Sequence, residues 1–480
     1  MRYSVILRYV GTVMILLAAF MAVSAGISYV SHDSGFYPLL LSSLLTLLLG
    51  CFPMIFVPKT SSISTKEGFM IVVGSWVLSC VVGMFPYLIW GGEFSLVNAW
   101  FESVSGFTTT GASILQDVEA VPQGLLFWRS ASCWIGGVGV VMFALLVLPS
   151  LGTNKMALSG IELSSLAKDN YRYRTQIVVR ILLVVYIGLT VLSTVSLKLA
   201  GMRWFDAVNH AMSACATGGF STKSASIGFY YSPLIEWILI IVMFLSSLHF
   251  GLIYSTFTRK SNNIFRSEVV RTYFLIILLA SLAIGASLYF SGTYTDIKTS
   301  MQDSTFQVVS LISTTGFATT DTNFWTPFAI VILIIVSIIC GCAGSTSGGV
   351  KVDRVLLYFK VLIARLRGQQ HPNAVIRIRL DGKTQEDRHV NAVTLFMTTY
   401  FILILLGTMT STLLGMDLLT AFSSSVAFIG NVGPGFGEVG SLDNYSEVPT
   451  MLKIQGSILM LMGRLEIFGF IQFLFIRTWR

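Results

Sequence analysis

Long apolar runs separated by short polar clusters dominate the chain. A helix of about 20 apolar residues crosses a hydrocarbon core of about 30 Å. Runs of that length lie near 9–30, 36–57, 69–90, 125–148, 176–200, 234–257, 271–290, 327–363, 392–414 and 452–476, and each is read as a span. The run at 327–363 is interrupted by Cys340-Gly-Cys-Ala-Gly-Ser-Thr-Ser-Gly-Gly-Val-Lys351, which holds four glycines and three hydroxyls. An interior glycine costs a helix about 1 kcal/mol relative to alanine, so this stretch predicts a break. A discontinuous helix at membrane depth lines a substrate path. The glycines are too dense for the competing reading, a small-residue packing stripe. A phosphate-binding loop is excluded as well, because Gly349 is followed by Val350 where a lysine is required.

Composition agrees with a membrane chain. Of 480 residues 54% are hydrophobic and only 11% charged, with a mean hydropathy of +0.76. This excludes a soluble enzyme, a disordered chain and a collagen-like fibre. The first run continues from residue 9 to Val30 without a small-residue cleavage site, so it is expected to span rather than to be removed. The excess of 31 basic over 23 acidic residues is distributed by connection. Arg2 and Arg8, Lys59 and Lys66, Lys155 to Arg174, Arg259 to Arg266, Arg365 to Arg388, and Arg477 and Arg480 occupy every second connection. Those connections and both termini are therefore expected in the cytoplasm. The intervening ones carry Glu93, Glu102, Asp117, Glu119, Asp206, Asp296, Asp303, Asp321, Asp417, Glu438, Asp443 and Glu447, expected to face outside. The basic balance thus reads as topology and not as nucleic-acid binding. The six cysteines lie in or beside apolar runs, and Cys340 and Cys342 have no further ligand beside them, so packing is favoured over metal binding.

The outer connections repeat. FESVSGFTTTGAS at 101–113, NHAMSACATGGFS at 209–221, FQVVSLISTTGFA at 306–318 and SSSVAFIGNVGPG at 423–435 align without gaps. Gly111, Gly219, Gly316 and Gly433 fall in one column, six residues after Ser105, Ser213, Ser310 and Ala427. Each segment opens with a stretch too short to span: Asn98–Phe107, Ala207–Ala216, Thr305–Ser313 and Thr420–Ile429. The unit is therefore helix, re-entrant segment, helix, repeated four times after an initial hairpin, and units of about a hundred residues stack around a common axis. The expected fold is an all-α integral membrane protein, with the hairpin over 1–66, pore units over 67–153, 154–262, 263–364 and 392–480, and a basic connection over 365–391.

The chemistry follows from the backbone. Non-helical chain at membrane depth is tolerated only against protein or a water-filled cavity. The inward C-terminal end of a half-helix carries about half a negative charge, which favours a cation. A glycine takes the positive φ that turns a carbonyl toward the axis. Rings of carbonyls replace the hydration shell of a monovalent cation, and the lack of carboxylates in the column argues against a divalent one. The candidate ion ligands are Thr110, Gly111, Gly218, Gly219, Thr315, Gly316, Val432 and Gly433, with Thr109, Thr217, Thr314 and Asn431 as secondary candidates. The competing reading is four ordinary outer turns.

These four aligned segments, together with the N-terminal hairpin, resemble the TrkH/KtrB superfamily of potassium transporters, and the resemblance covers the whole chain. It implies a pseudo-fourfold pore with one filter glycine per unit, conduction of potassium and rubidium, and an intramembrane loop that blocks the pore. Gly341, Gly344, Ser345, Thr346, Gly348, Gly349 and Lys351 match that loop, and Arg464 matches an arginine that contacts it; from the residues alone, a pair with Glu466 or interfacial snorkelling competes for Arg464. The resemblance also implies a bacterial inner-membrane location, a homodimer, and a TrkA-like cytosolic regulatory subunit that binds nucleotides, with no organic cofactor on this chain. This sequence departs from the longer TVGYG signature of potassium channels in every unit, and the fourth lacks threonine.

Three functional classes follow: a gated channel-like potassium uptake protein, a symporter coupling potassium to protons or sodium, and a membrane enzyme. No clustered acid–base set supports the enzyme. A symporter needs a titratable buried site, for which only Glu236, His249 and Glu466 qualify. His32, His210, His371 and His389 form no metal constellation. The alternation at Ala374–Leu380 followed by Asp381-Gly382 predicts a small hairpin.

Overall fold

The computed structural model describes residues 2–58, 64–147, 175–258, 263–371, 373, 376–465 and 467–474. Lys59, Lys155, Lys168, Arg172, Arg174, Arg259, Lys260, Ala374, Glu466, Arg477 and Arg480, all used in the sequence reading, lie outside them.

Helices Tyr3–Val30 and Phe36–Phe56 form the initial hairpin. Their backbones touch, because a Cβ on Gly11 would lie 2.7 Å from the Gly50 carbonyl oxygen. Small residues permit such contact where lipid offers no hydrophobic drive between helices. Arg2 anchors the hairpin to the first unit through an ion pair with Glu67 at 2.8 Å.

Four units follow. In the first, Thr65–Gly83 and Phe85–Trp90 lead to the pore helix Leu96–Phe107, and Gln123–Val147 leaves it. The second has Thr175–Leu199, the pore helix Trp204–Ala216, and then Pro233–Ser246 with Phe250–Phe257. The third has Glu268–Phe290, the pore helix Ile297–Ile312, and Pro327–Ile338 with Val352–Gln370. The fourth has Asp387–Leu413, the pore helix Leu418–Gly430, and Thr450–Arg464 with Ile467–Leu474. The pore helices have 12, 13, 16 and 13 residues, too few to cross the core. Ser95, Asp296 and Asp417 cap three of them by accepting backbone N–H bonds, which fixes where they begin. Among the described residues six helices are long and apolar enough to cross a membrane, or seven with one bent pair.

That bent pair corrects the sequence reading. The run 234–257 is not one helix: it turns by 102° between Pro233–Ser246 and Phe250–Phe257. The break is stable because the other broken span supplies its missing partners. Cys342 N–H donates to the Ser247 carbonyl at 2.8 Å, and Phe250 N–H donates to the Gly344 carbonyl at 3.1 Å. His249 Nδ1 accepts from Gly251 N–H at 3.0 Å, so this histidine caps the second half of the break.

A two-residue ladder pairs Arg379–Leu380 with Lys383–Thr384 across Asp381 (φ 47°) and Gly382 (φ 77°), the left-handed pair a tight hairpin requires. The Asp381 carboxylate accepts from Ser267 Oγ at 3.0 Å and from Glu268 N–H at 2.5 Å, docking the hairpin on the start of the third unit.

The second spans of units 1 and 4 press against their own pore helices. A Cβ on Gly136 would lie 2.1 Å from the Phe107 carbonyl oxygen, and one on Gly463 would lie 2.2 Å from that of Ile429. Gly136→Ala is expected to cost about 1–3 kcal/mol of stability through overpacking, lowering the thermal midpoint in detergent. Gly188→Ala, with open space at its Cβ, serves as the control that leaves the midpoint at or above the parent value.

Candidate functional site

The four pore helices end in the same way. Thr109, Thr217, Thr314 and Asn431 adopt left-handed φ values of 55°, 55°, 61° and 53°. In each unit the N–H of this residue bonds three residues back and the next N–H five back: Thr109 to Gly106 and Thr110 to Ser105, Thr217 to Ala214 and Gly218 to Ser213, Thr314 to Leu311 and Thr315 to Ser310, Asn431 to Phe428 and Val432 to Ala427. This is the Schellman ending of a helix, which ordinarily places glycine or asparagine at the left-handed position. Asn431 fits that rule. A β-branched residue there is strained, by about 1–3 kcal/mol each for the three threonines. The carbonyls of Ser105, Ser213, Ser310 and Ala427 accept the second bond.

Two residues further on, Gly111, Gly219, Gly316 and Gly433 have φ values of 82°, 71°, 79° and 102°. Their surroundings close a ring. A Cβ on Gly111 would meet the Gly218 carbonyl oxygen at 2.1 Å, one on Gly219 that of Thr315 at 2.0 Å, one on Gly316 that of Val432 at 2.3 Å, and one on Gly433 that of Thr110 at 2.5 Å. Unit 1 touches 2, 2 touches 3, 3 touches 4 and 4 returns to 1. No side chain fits at any of the four glycines, and the four carbonyls lie where the helix ends converge. Thr110, Thr315 and Val432 are fully buried.

Beneath this ring lies the loop between the halves of the interrupted span. Ile339–Cys340 pairs in parallel with Val350–Lys351 and closes the loop at its neck. Gly348 N–H donates to Thr314 Oγ1 at 3.0 Å, and Thr346 Oγ1 donates to the carbonyls of Cys215 at 3.0 Å and Ser246 at 3.2 Å. The loop thus touches the pore-helix ends of units 2 and 3, and Gly348 packs against the Gly430 carbonyl of unit 4. Gly344 and Gly349 take φ values of 78° and 58°. Ser345 Oγ donates to the Cys342 carbonyl at 2.6 Å, Gly341 packs on Ser247, and Lys351 Nζ donates to the carbonyls of Ser347 and Gly348. The buried Arg464 donates from Nη1 to the Thr346 carbonyl at 2.7 Å and from Nη2 to the Gly136 carbonyl at 3.0 Å. Glu466 lies outside the described residues.

Other candidates sit apart. Glu236, at the start of its helix, accepts from Gln302 Nε2 at 2.5 Å. Among the described residues no group of three His, Cys, Asp or Glu side chains could hold a metal. Three of the acids expected on the outer side, Glu102, Asp206 and Asp303, are not solvated. Each lies buried on a pore helix and binds its own return strand, Glu102 through Ser113 Oγ at 3.0 Å, Asp206 through Thr222 Oγ1 at 2.6 Å and Asp303 through Thr319 Oγ1 at 3.3 Å. At the rim between units 3 and 4, burial pushes the Asp443 carboxyl above its ordinary pKa, and the neighbouring charge of Asp321 adds to this. Two functional positions escaped the sequence reading. One is the second break at Ser247–His249, signalled by a polar cluster within an apolar run. The other is Arg129, a charge inside a span and so a candidate by that fact alone.

Fold and site together define a multi-span membrane protein whose four pore-loop units converge on one ring of carbonyls. The sequence model of the TrkH family, described as cation transport protein, matches residues 46–477. The Trk system potassium uptake protein TrkH of Escherichia coli K12 is 33% identical over 490 residues, covering all of both chains. The Trk system potassium uptake protein TrkG of the same organism is 36% identical over 415 residues, 84% of this chain and 83% of its own. The crystal structure of the potassium transporter TrkH from Vibrio parahaemolyticus superposes with a TM-score of 0.90 at 31% identity over the full length of both. The chain belongs to the TrkH family of cation transport proteins.

Gly316→Ser should loosen ion discrimination toward sodium, since its Cβ would strike the Val432 carbonyl. Competitive uptake of sodium and rubidium by cells expressing the variant measures this; unchanged ion ratios would remove Gly316 from the ion site.

Proposed function

We propose that the chain is a gated, channel-like pathway for potassium and rubidium uptake across the bacterial inner membrane. The closed ring of glycine-to-carbonyl contacts carries this reading. Backbone oxygens of Thr110, Gly218, Thr315 and Val432, with Gly111, Gly219, Gly316 and Gly433 providing the turn, take the place of water around a monovalent cation. The secondary positions Thr109, Thr217, Thr314 and Asn431 set the approach from beneath. Four helix C-termini aimed at the ring add a favourable field without the fixed carboxylates a divalent ion prefers. The relatives' description as potassium uptake proteins supports the same ion.

The loop from Cys340 to Lys351 acts as the gate in this reading. Its place under the ring supports that role, and so does its density of hydrogen bonds to three units. Arg464 holds it through a charge-assisted bond to the Thr346 carbonyl. Displacement of the loop opens the path. A TrkA-like cytosolic subunit that binds nucleotides controls it; the relatives' name as proteins of a Trk system supports such a partner. Both termini lie in the cytoplasm and the protein works as a homodimer, with potassium and rubidium as the ions it passes, no organic cofactor on this chain and no enzymatic activity.

Recording from purified protein in a planar bilayer tests the mechanism. Discrete currents reversing at the potassium equilibrium potential are expected, whereas a reversal potential that moves with pH would favour proton symport. Two variants test the gate. Shortening 344–349 should raise flux in the absence of the partner, and Arg464→Gln should raise it by about tenfold, the equivalent of one charged hydrogen bond. Unchanged flux in both would count against the loop as gate.

A further inference from the structure

Behind the ring, in units 1, 2 and 3 the carbonyl two residues past the filter glycine is held by a neighbouring unit. The carbonyl of Ser113 in unit 1 accepts from Tyr445 N–H of unit 4 at 2.8 Å. That of Ala318 in unit 3 accepts from Ile227 and Gly228 N–H of unit 2 at 3.0 and 3.2 Å. The equivalent carbonyl of Ser221 in unit 2 is held differently: its partner from unit 1 is a side chain, Arg129 Nη1, at 3.3 Å.

Arg129 is 2% exposed and Glu102, its ion-pair partner at 2.8 Å, is fully buried. The guanidinium makes four contacts. Nε meets Glu102, Nη2 donates to Ser113 Oγ at 3.0 Å, Nη1 reaches Ser221, and the guanidinium carbon lies 4.2 Å from the centre of the Phe220 ring. Glu102 in turn accepts from Ser113 Oγ and, at 3.0 Å, from Ile114 N–H. One planar cation therefore spans the return strands of two adjacent units at equivalent positions. It also touches Phe220, the residue next to the filter glycine Gly219. A planar fork with several donors can do this, and a lysine cannot. Breaking a buried pair from one side leaves an uncompensated charge, so the two residues act as a unit.

We propose that Glu102 and Arg129 are a positioning pair that sets the separation of units 1 and 2 around the carbonyl ring, and thereby which alkali cation the ring accepts. Neither residue touches the ion. Glu102 cancels the guanidinium charge, which would otherwise repel a cation at the ring, while the guanidinium fixes the strands. The inference rests on the reading of the ring as the ion site.

The test compares potassium-to-sodium permeability ratios, taken from bi-ionic reversal potentials of the full-length protein in bilayers. These ratios do not depend on how much folded protein is present, so a purely structural role would leave them unmoved. Arg129→Lys keeps the charge pair but loses the fork. Glu102→Gln combined with Arg129→Gln removes both charges together. In each the ratio is expected to fall by about threefold or more, the effect of one lost hydrogen bond. A parent-like ratio in either variant, provided it folds with a near-parent melting temperature, overturns the proposal; if the double variant does not fold, Arg129→Lys decides. Gly316→Ser, measured alongside, separates the two levels. A shifted ratio there with parent-like ratios in the Arg129 variants defeats the positioning pair alone, whereas parent-like ratios throughout defeat the ring reading and this inference with it.

Discussion

A helix that stops inside a membrane leaves carbonyls with no water to accept from, and this protein stops four of them at one place. The Schellman ending satisfies some carbonyls from within each unit, and the chain beyond it turns the next ones to the centre. The crowding that results is severe enough to exclude a Cβ at every one of the four glycines. The rest of the architecture serves that convergence. The second spans of units 1 and 4 come close enough to their pore helices to need glycine at Gly136 and Gly463. Buried polar residues tie each return strand back to its helix.

The fourfold repeat belongs to the backbone, and the side chains break it. Three units carry a threonine in a conformation that threonine resists, while the fourth uses Asn431, which adopts it readily. Asn431 also donates from Nδ2 to Thr110 Oγ1 at 3.0 Å and to the Met460 carbonyl at 2.9 Å, joining the last unit to the first. Unit 1 alone places an ion pair between its pore helix and its second span, among the described residues. Unit 3 carries the interrupted span and, through Asp381, the docked hairpin. Such differences let one chain place distinct tasks on four equivalent positions, which a tetramer of identical subunits cannot do.

Much of this was legible in the residues. Apolar runs gave six of the ten expected spans, or seven with the bent pair, among the described residues, and gapless alignment of four short segments gave the column that the structure closes into a ring. Glycine density gave the interrupted span at Cys340–Lys351. The second break at Ser247–His249 showed only as a polar cluster within an apolar run, because it contains no glycine or proline and depends on partners about a hundred residues away in sequence. The burial of Glu102, Asp206 and Asp303 was not legible: a carboxylate in an outer connection looks solvated until a return strand folds over it. The left-handed threonines were hidden for the opposite reason, since local propensity argues against them and the surrounding ring imposes them.

The two broken spans share their hydrogen bonds, with Cys342 N–H on the Ser247 carbonyl and Phe250 N–H on that of Gly344. Neither interruption is self-sufficient. Pulling one away orphans main-chain groups of the other in a place where an orphan costs several kcal/mol. Replacement partners must arrive in the same motion, and the only ones small and numerous enough are solvent molecules. The two interruptions are consequently one hydrogen-bonded unit, and parting them and wetting them are a single event.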